Sequence, residues 1–369
     1  MRSLVRLLCV AAFTRASDEP TCTSCGGDYG EKKPIPMVLI VDPGVDDAGM
    51  MLLALASAPA DVEIIGVHST FGCHSDLDVV HENALRVLSA AGRLGDIAVH
   101  RGAAMPLGAV EGLGEGDGRI VHGPMALGGP DVPRPPLPDA PLRAPPPNIS
   151  AAEHLVQLAR ARPGEVLVAI ASAPTELAVA LALEPRLPEL LRGVYAMGGA
   201  LTHFGNISPL AEANFAFDAR AARCVVAAFG QRLTLFPLDV THQALFSRAD
   251  ADELHARGGA AAAWFAAIHD HYRERYAAVA GIVAGSPLHD AHVVAAVLDP
   301  SMYTYAQKRL TVLVASPGDP THGATLFDRR IVPQSAPSPE MGEATVTVAT
   351  AVDSTRFVEL FIDRIASLP

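Results

Sequence analysis

The chain has 369 residues, and at 50% hydrophobic content it can bury a sizeable core in one large α/β domain or two smaller ones. Its formal net charge of −12 argues against nucleic acid or an anionic membrane surface as a partner, and no apolar run approaches the ~18 residues that span a bilayer. The cysteines (Cys9, Cys22, Cys25, Cys73, Cys224) are too scattered for a disulfide scaffold, and the single Cys-x-x-Cys at 22–25 lacks the second pair of a zinc site.

Taken in chain order, residues 1–20 combine Arg2, an apolar stretch broken by Arg6, and small residues up to Ser17. That pattern fits a signal or targeting segment and equally an unstructured cytosolic extension. Residues 1–33 are therefore read as an N-terminal extension and 34–369 as the folded domain, with localisation open between cytoplasm and secretion or organelle import. Residues 37–41, all apolar, end in Asp42-Pro43-Gly44-Val45-Asp46-Asp47, and an alanine-rich stretch of helical length follows. A short apolar run closed by Pro-Gly reads as a buried parallel strand with its crossover helix. Strands are predicted at 62–67, 97–99, 166–170, 194–197, 233–236, 310–314 and 344–348. Helices are predicted at 76–91, 151–161, 175–183, 260–280, 293–298 and 355–365. Residues 101–150, rich in Gly and Pro, read as a long surface loop. The repeated strand–helix order predicts a single α/β domain with a mostly parallel, doubly wound sheet.

Asp42, Asp46 and Asp47 gather at the carboxyl end of the first strand, where open α/β sheets place their ligands. Three close anions repel one another unless a cation sits among them, and all-oxygen donors suit Ca²⁺ or Mg²⁺ rather than zinc. The plainer alternative is an acidic helix start with Asp46 or Asp47 as N-cap.

The segment Asp42-Pro-Gly-Val-Asp-Asp-Ala48 resembles the signature of the calcium-dependent, inosine-uridine-preferring nucleoside hydrolases, which cut the N-glycosidic bond of ribonucleosides. The family pattern Asp-x-Asp-Pro-Gly-x-Asp-Asp has Ile40 here in place of its first Asp. Pro287-Leu-His289-Asp290 resembles the second signature, and the block from Gly205 to Asn214 resembles the ribose-binding segment. The resemblance implies Ca²⁺ held by Asp42, Asp47, Asp290 and the Thr175 carbonyl. It also implies Asp42 as the base that activates water and His289 as the acid that protonates the leaving base. Asp46, Asn206, Glu212, Asn214 and the strand-end residue Met197 would line the sugar site. Cys73 stands where the family has an Asn against the ribose, and a thiol hydrogen-bonds only weakly.

His122-Gly123 resembles a further pocket motif, although Pro124-Met125-Ala126 departs from the family's continuation. Tyr272 and Tyr276, at i and i+4 of a predicted helix, share one face, and read equally as core or as contacts near the leaving base. The segment from Leu238 to His242 also resembles a family strand end, with no chemistry attached to it. The expected partner is a ribonucleoside, and the resemblance implies a homo-oligomer, dimer or tetramer. The rival from another class is a calcium-containing nucleoside- or sugar-binding protein with little turnover, suggested by Ile40 and Cys73.

Overall fold

The computed structural model describes residues 33–107, 118–137, 149–316, 318–328 and 342–369. The 1–20 segment, Cys9, Cys22 and Cys25 lie outside them. The chain runs β1 (Ile35–Val41), α1 (Val45–Ser57), β2 (Val62–Ser69), α2 (Leu77–Ala90), β3 (Val99–Arg101), α3 (Arg119–His122), α4 (Ala151–Ala161), β4 (Leu167–Ala171) and α5 (Thr175–Leu183). It continues through α6 (Leu187–Leu190), β5 (Gly193–Met197), α7 (Ala213–Phe217), α8 (Ala219–Phe229), β6 (Leu233–Phe236), α9 (Leu238–Thr241) and β7 (Leu245–Phe246). After α10 (Arg248–Arg257), α11 (Ala260–Ala280), β8 (Ser286–Pro287) and α12 (Ala291–Leu298) come β9 (Tyr303–Val312), β10 (Thr325–Phe327), β11 (Ala344–Val352) and α13 (Ser354–Ile365).

A 9-stranded sheet in the order β10-β9-β11-β6-β5-β4-β1-β2-β3 forms the centre. From β3 across to β11 every pairing is parallel, while β9 and β10 close the far edge antiparallel. The chain winds outward from β1 to β2 and β3, then returns to place β4, β5 and β6 on the other flank. That reversal makes a crevice between β1 and β4, at the strands' carboxyl ends.

The all-apolar reading of β1 follows from its position, since helices cover both faces. Met37, Leu39 and Val41 pack into one core with α1, α11, α12 and α13, whereas Val38 and Ile40 pack into the other with α4, α5 and α8. Ile40 is therefore a core side chain on the face away from α1. Boundaries moved where pairing, not local pattern, decides them: the third strand is Val99–Arg101, and the strand expected at 310–314 begins at Tyr303 to pair along β11. Among the described residues no helix is long and apolar enough to cross a membrane.

Where β2 and β3 meet α4, His68, His100 and His154 form a cluster. The rings of His100 and His154 stack at 3.8 Å, and His68 Nε2 lies 3.0 Å from His154 Nδ1. Gly66 makes room for it, because a Cβ there would sit 2.9 Å from His154 Cε1. Burial lowers the pKa of all three, that of His100 to about 4. An unfolded chain binds protons on these rings below about pH 6.5, whereas the folded chain resists. The cluster's stability is thus complete above about pH 6.5 and lost as the pH falls toward 4. Urea unfolding should show a less stable protein at about pH 5 than at about pH 7.5. His100→Phe, which keeps a ring in the stack, should shrink that difference; an unchanged pH dependence would exclude the cluster as its source.

Candidate active site

The crevice holds a cavity of about 450 Å³ lined by Asp42, Asp46, Asp47, Cys73, His122, Met197, Asn206, Glu212, Asn214, Tyr272, Tyr276, His289 and Asp290. Of the residues expected at the site from sequence, only Thr175 lies off it.

The acidic floor is built by the turn after β1. Asp47, in the first turn of α1, accepts the N–H of Asp42 at 3.2 Å and of Gly44 at 3.0 Å, closing the Asp-Pro-Gly turn upon itself. Asn83 of α2 clamps the same turn, donating its amide to the Pro43 carbonyl at 3.1 Å and the Met125 carbonyl at 2.8 Å. Asp42 accepts the Cys73 N–H at 2.6 Å from the loop after β2. That approach requires glycine at 72, where a Cβ would lie 1.8 Å from Asp42 Oδ2.

Asp290, preceding α12, completes a group with Asp46 and Asp47, and Cys73 forms another with Asp42 and Asp47. In each group the candidate ligand atoms lie within 4.8 Å of one another. All four carboxylates are buried, and the cavity lining contains no Lys or Arg. Burial first, then mutual repulsion, raises Asp42 and Asp290 far above the carboxylate range and Asp47 to about 8. Buried carboxylates without a cationic side chain fit a divalent cation.

Thr175 opens α5, and its hydroxyl donates to Asp218 at 2.7 Å. As the first residue of a helix, its carbonyl points along the helix axis toward the next turn. The residue of that segment at the cavity is Ala171, the end of β4.

A second wall of the cavity is organised by Glu212, which is the N-cap of α7 rather than part of an extended strand. It accepts the N–H groups of Asn214 at 2.7 Å, Phe215 at 3.0 Å and Gly199 at 2.9 Å. Burial pushes its pKa up to about 7 against these donors. Asn214 donates to the Met197 carbonyl at 3.3 Å, and Asn206 accepts the Ala213 N–H at 2.9 Å. Asp239 fixes the adjoining loop by accepting the N–H groups of Leu201, Thr202 and His203.

The opposite wall is aromatic. The Tyr272 hydroxyl is 3.5 Å from Asp46, and that of Tyr276 is 2.9 Å from His289 Nε2 and 3.2 Å from His242 Nε2. His289 Nδ1 lies 2.7 Å from the Thr241 hydroxyl. Burial, and after it the neighbouring imidazoles, hold His289 well below the ordinary histidine range. His122 Nδ1 accepts the Val45 N–H at 3.1 Å, so its 3.7 Å approach to Asp46 involves no proton on that nitrogen. Exposed Ile120, Phe204, Ile207 and Val279 form an apolar rim.

Sequence reasoning gave no role to His242, Thr241, Ala171 or this rim. The match at 238–242 was the available signal for the first two; Ala171 and the rim carry no local signature.

The family model for inosine-uridine preferring nucleoside hydrolases matches residues 37–359. A probable uridine nucleosidase 2 of Arabidopsis thaliana is 31% identical over 339 residues, covering 91% of this chain and 98% of that protein. The pyrimidine-specific ribonucleoside hydrolase RihA of Salmonella newport (strain SL254) is 32% identical over 331 residues, 90% of this chain and 98% of its own. Among solved structures, the plant nucleoside hydrolase PpNRh1 superimposes with a TM-score of 0.80 at 27% identity, covering 90% of this chain and 99% of that one. With its acidic cluster at the switch point of a doubly wound sheet, the chain belongs to the inosine-uridine preferring nucleoside hydrolase family.

Proposed function

We propose that the protein hydrolyses the N-glycosidic bond of ribonucleosides to ribose and free base, with Ca²⁺ as its resident ion. The observation that carries this reading is the pairing, within one cavity, of a buried tetracarboxylate floor with an imidazole–phenol wall. Asp42, Asp47 and Asp290 would hold the ion, with the Ala171 carbonyl in the place first expected for Thr175. An ion held by these residues would neutralise the floor and lower the pKa of an attacking water.

The chain's own groups supply the rest. Asp42 has one carboxylate oxygen fixed by the Cys73 amide and the other to take a proton from water. Asp46 and Asn214 grip the 2′- and 3′-hydroxyls, and Asn206 and Glu212 the 5′-hydroxyl. The ionised carboxylates around the ring favour the positive charge that develops on the sugar. His289, kept neutral by burial, turns its Nε2–H from Tyr276, 2.9 Å away, to the base nitrogen on which negative charge develops. That charge in turn raises the ring's affinity for a second proton, taken from solvent, so that the ring is neutral again once its Nε2 proton has passed to the base. Tyr272 and His122 stand beside Asp46 and border the same space. A dimeric or tetrameric assembly belongs to the same reading and rests on the resemblance alone.

The decisive experiment measures base release from a panel of purine and pyrimidine ribonucleosides, with and without chelator, beside metal analysis of the purified protein. Base release that stops on chelation, with about one calcium per chain, is expected. Calcium-dependent binding without release would instead favour a binding protein, and absence of both would end the proposal.

His289→Ala should slow nucleosides with poor leaving groups by ~10²-fold or more, yet barely affect p-nitrophenyl riboside, whose leaving group needs no proton. Equal losses on both would give His289 another role.

Cys73 presents a weak hydrogen-bonding thiol to the cavity, packed toward Asp47 at 4.0 Å. Leaving a ribose hydroxyl poorly paired costs ~1–3 kcal/mol, so Cys73→Asn should raise kcat/KM by about ten- to a hundredfold. An unchanged or lower value, with the fold intact, would mean that the thiol only packs.

A further inference from the structure

The match at residues 238–242 leads to a residue that the reaction above does not use. His242 follows the short helix α9 and lines the cavity. Its Nδ1 lies 3.0 Å from the Leu238 carbonyl. A carbonyl can only accept, so Nδ1 carries the proton and Nε2 of the neutral ring carries the lone pair. Burial, with the neighbouring His203, lowers the pKa of His242 to about 4, which keeps that ring neutral at physiological pH.

The direction of every other bond in the wall follows. Tyr276 has one proton and stands 3.2 Å from His242 Nε2 and 2.9 Å from His289 Nε2. The His242 lone pair takes that proton, which leaves the Tyr276 oxygen to accept from His289. His289 must then carry its own proton on Nε2, and its Nδ1 accepts from the Thr241 hydroxyl at 2.7 Å. The chain thus reads Thr241 O–H to His289 Nδ1, His289 Nε2–H to Tyr276, Tyr276 O–H to His242 Nε2, and His242 Nδ1–H to the Leu238 carbonyl.

We infer that His242 is a positioning residue that fixes the tautomer of His289, holding the proton on the nitrogen that faces Tyr276 and the cavity. The inference rests on the reading of His289 as donor to the leaving base. Without the His242 acceptor, Tyr276 would donate to His289 Nε2. The His289 proton would then move to Nδ1, where Thr241 can accept it, and an acceptor would face the departing base. A mis-set tautomer disables such a donor without moving it.

The other groups around His242 do not provide the same acceptor. His203 stacks on it with ring centroids 4.2 Å apart and donates its Nδ1 proton to the Phe204 carbonyl at 2.8 Å. Asp239 is engaged by the backbone of residues 201–203.

The test uses the full chain and His242→Phe, which keeps a ring against His203 but offers no acceptor. It also uses His242→Gln, whose amide oxygen can accept the Tyr276 proton. One readout is the imidazole ¹⁵N–¹H spectrum of ¹⁵N-histidine-labelled protein, which reports the tautomer without any substrate. His289 should carry its proton on Nε2 in the wild type and on Nδ1 in His242→Phe. The second is the rate on a natural nucleoside against that on p-nitrophenyl riboside. His242→Phe should lose ~10²-fold on the former and little on the latter, and His242→Gln should recover part of the loss.

A His289 tautomer unchanged in His242→Phe would overturn the inference, as would equal losses on both substrates, which would give His242 a role outside protonation of the leaving base. Failure of the proposed activity is seen separately, as absence of base release by the wild type.

Discussion

The burial of four carboxylates in one cavity without a cationic side chain is the constraint on which the rest of this site depends. Charges of one sign in a low-dielectric space cost several kcal/mol each unless something of opposite sign joins them. The chain meets part of the cost with backbone donors: the N–H groups of residues 42 and 44 fall on Asp47, and that of Cys73 on Asp42. Those donors are available only because β1 stops at Val41, α1 starts at Val45 and glycine stands at 72. The remaining charge is what a divalent cation would meet. The acidic floor of the crevice, the Pro-Gly turn and the close passage of the β2 loop therefore have one cause.

The fold was legible because a parallel sheet covered on both faces writes itself as short apolar runs separated by helical stretches. Residues 37–41 and 175–183 illustrate it, their bounds differing little or not at all from those of β1 and α5. The third strand and the start of β9 were not, because a strand's ends are set by partners distant in sequence. At the site, the clustered carboxylates and His289-Asp290 were visible as motifs. Thr175 misled for a physical reason: a helix's first residue holds its carbonyl along the axis, whereas the residue ending a strand presents its backbone to the crevice. Glu212 and Asn214 were placed by a strand argument although they open a helix, and they reach the cavity all the same. The direction of the His289 network could not be read locally, since it joins residues 238–242, 276 and 289 through their protons.

The two halves of the cavity are held by different means. On one side, carboxylate oxygens are fixed by backbone N–H groups: Glu212 by three, Asp239 by those of the 201–203 loop. Such bonds leave little freedom, which suits recognition of a hydroxylated ring whose orientation decides where water attacks. On the other side, the lining comes from rings and from the apolar rim of Ile120, Phe204, Ile207 and Val279. Apolar and stacking contacts discriminate weakly between flat ligands.

That division also requires the histidines to stay neutral beside an anionic floor. A protonated His122 would pair with Asp46, 3.7 Å away, and spend the negative charge that the developing sugar cation needs. The structure prevents it by giving His122 Nδ1 the Val45 N–H to accept, so that a proton on that nitrogen would break a buried backbone bond. His289 is kept from the same fate by distance in the network: its two nitrogens face Thr241 and Tyr276, not a carboxylate. Burial lowers both rings further. Anions and imidazoles can then share one cavity without neutralising each other, which lets the floor act on the sugar while the wall acts on the base.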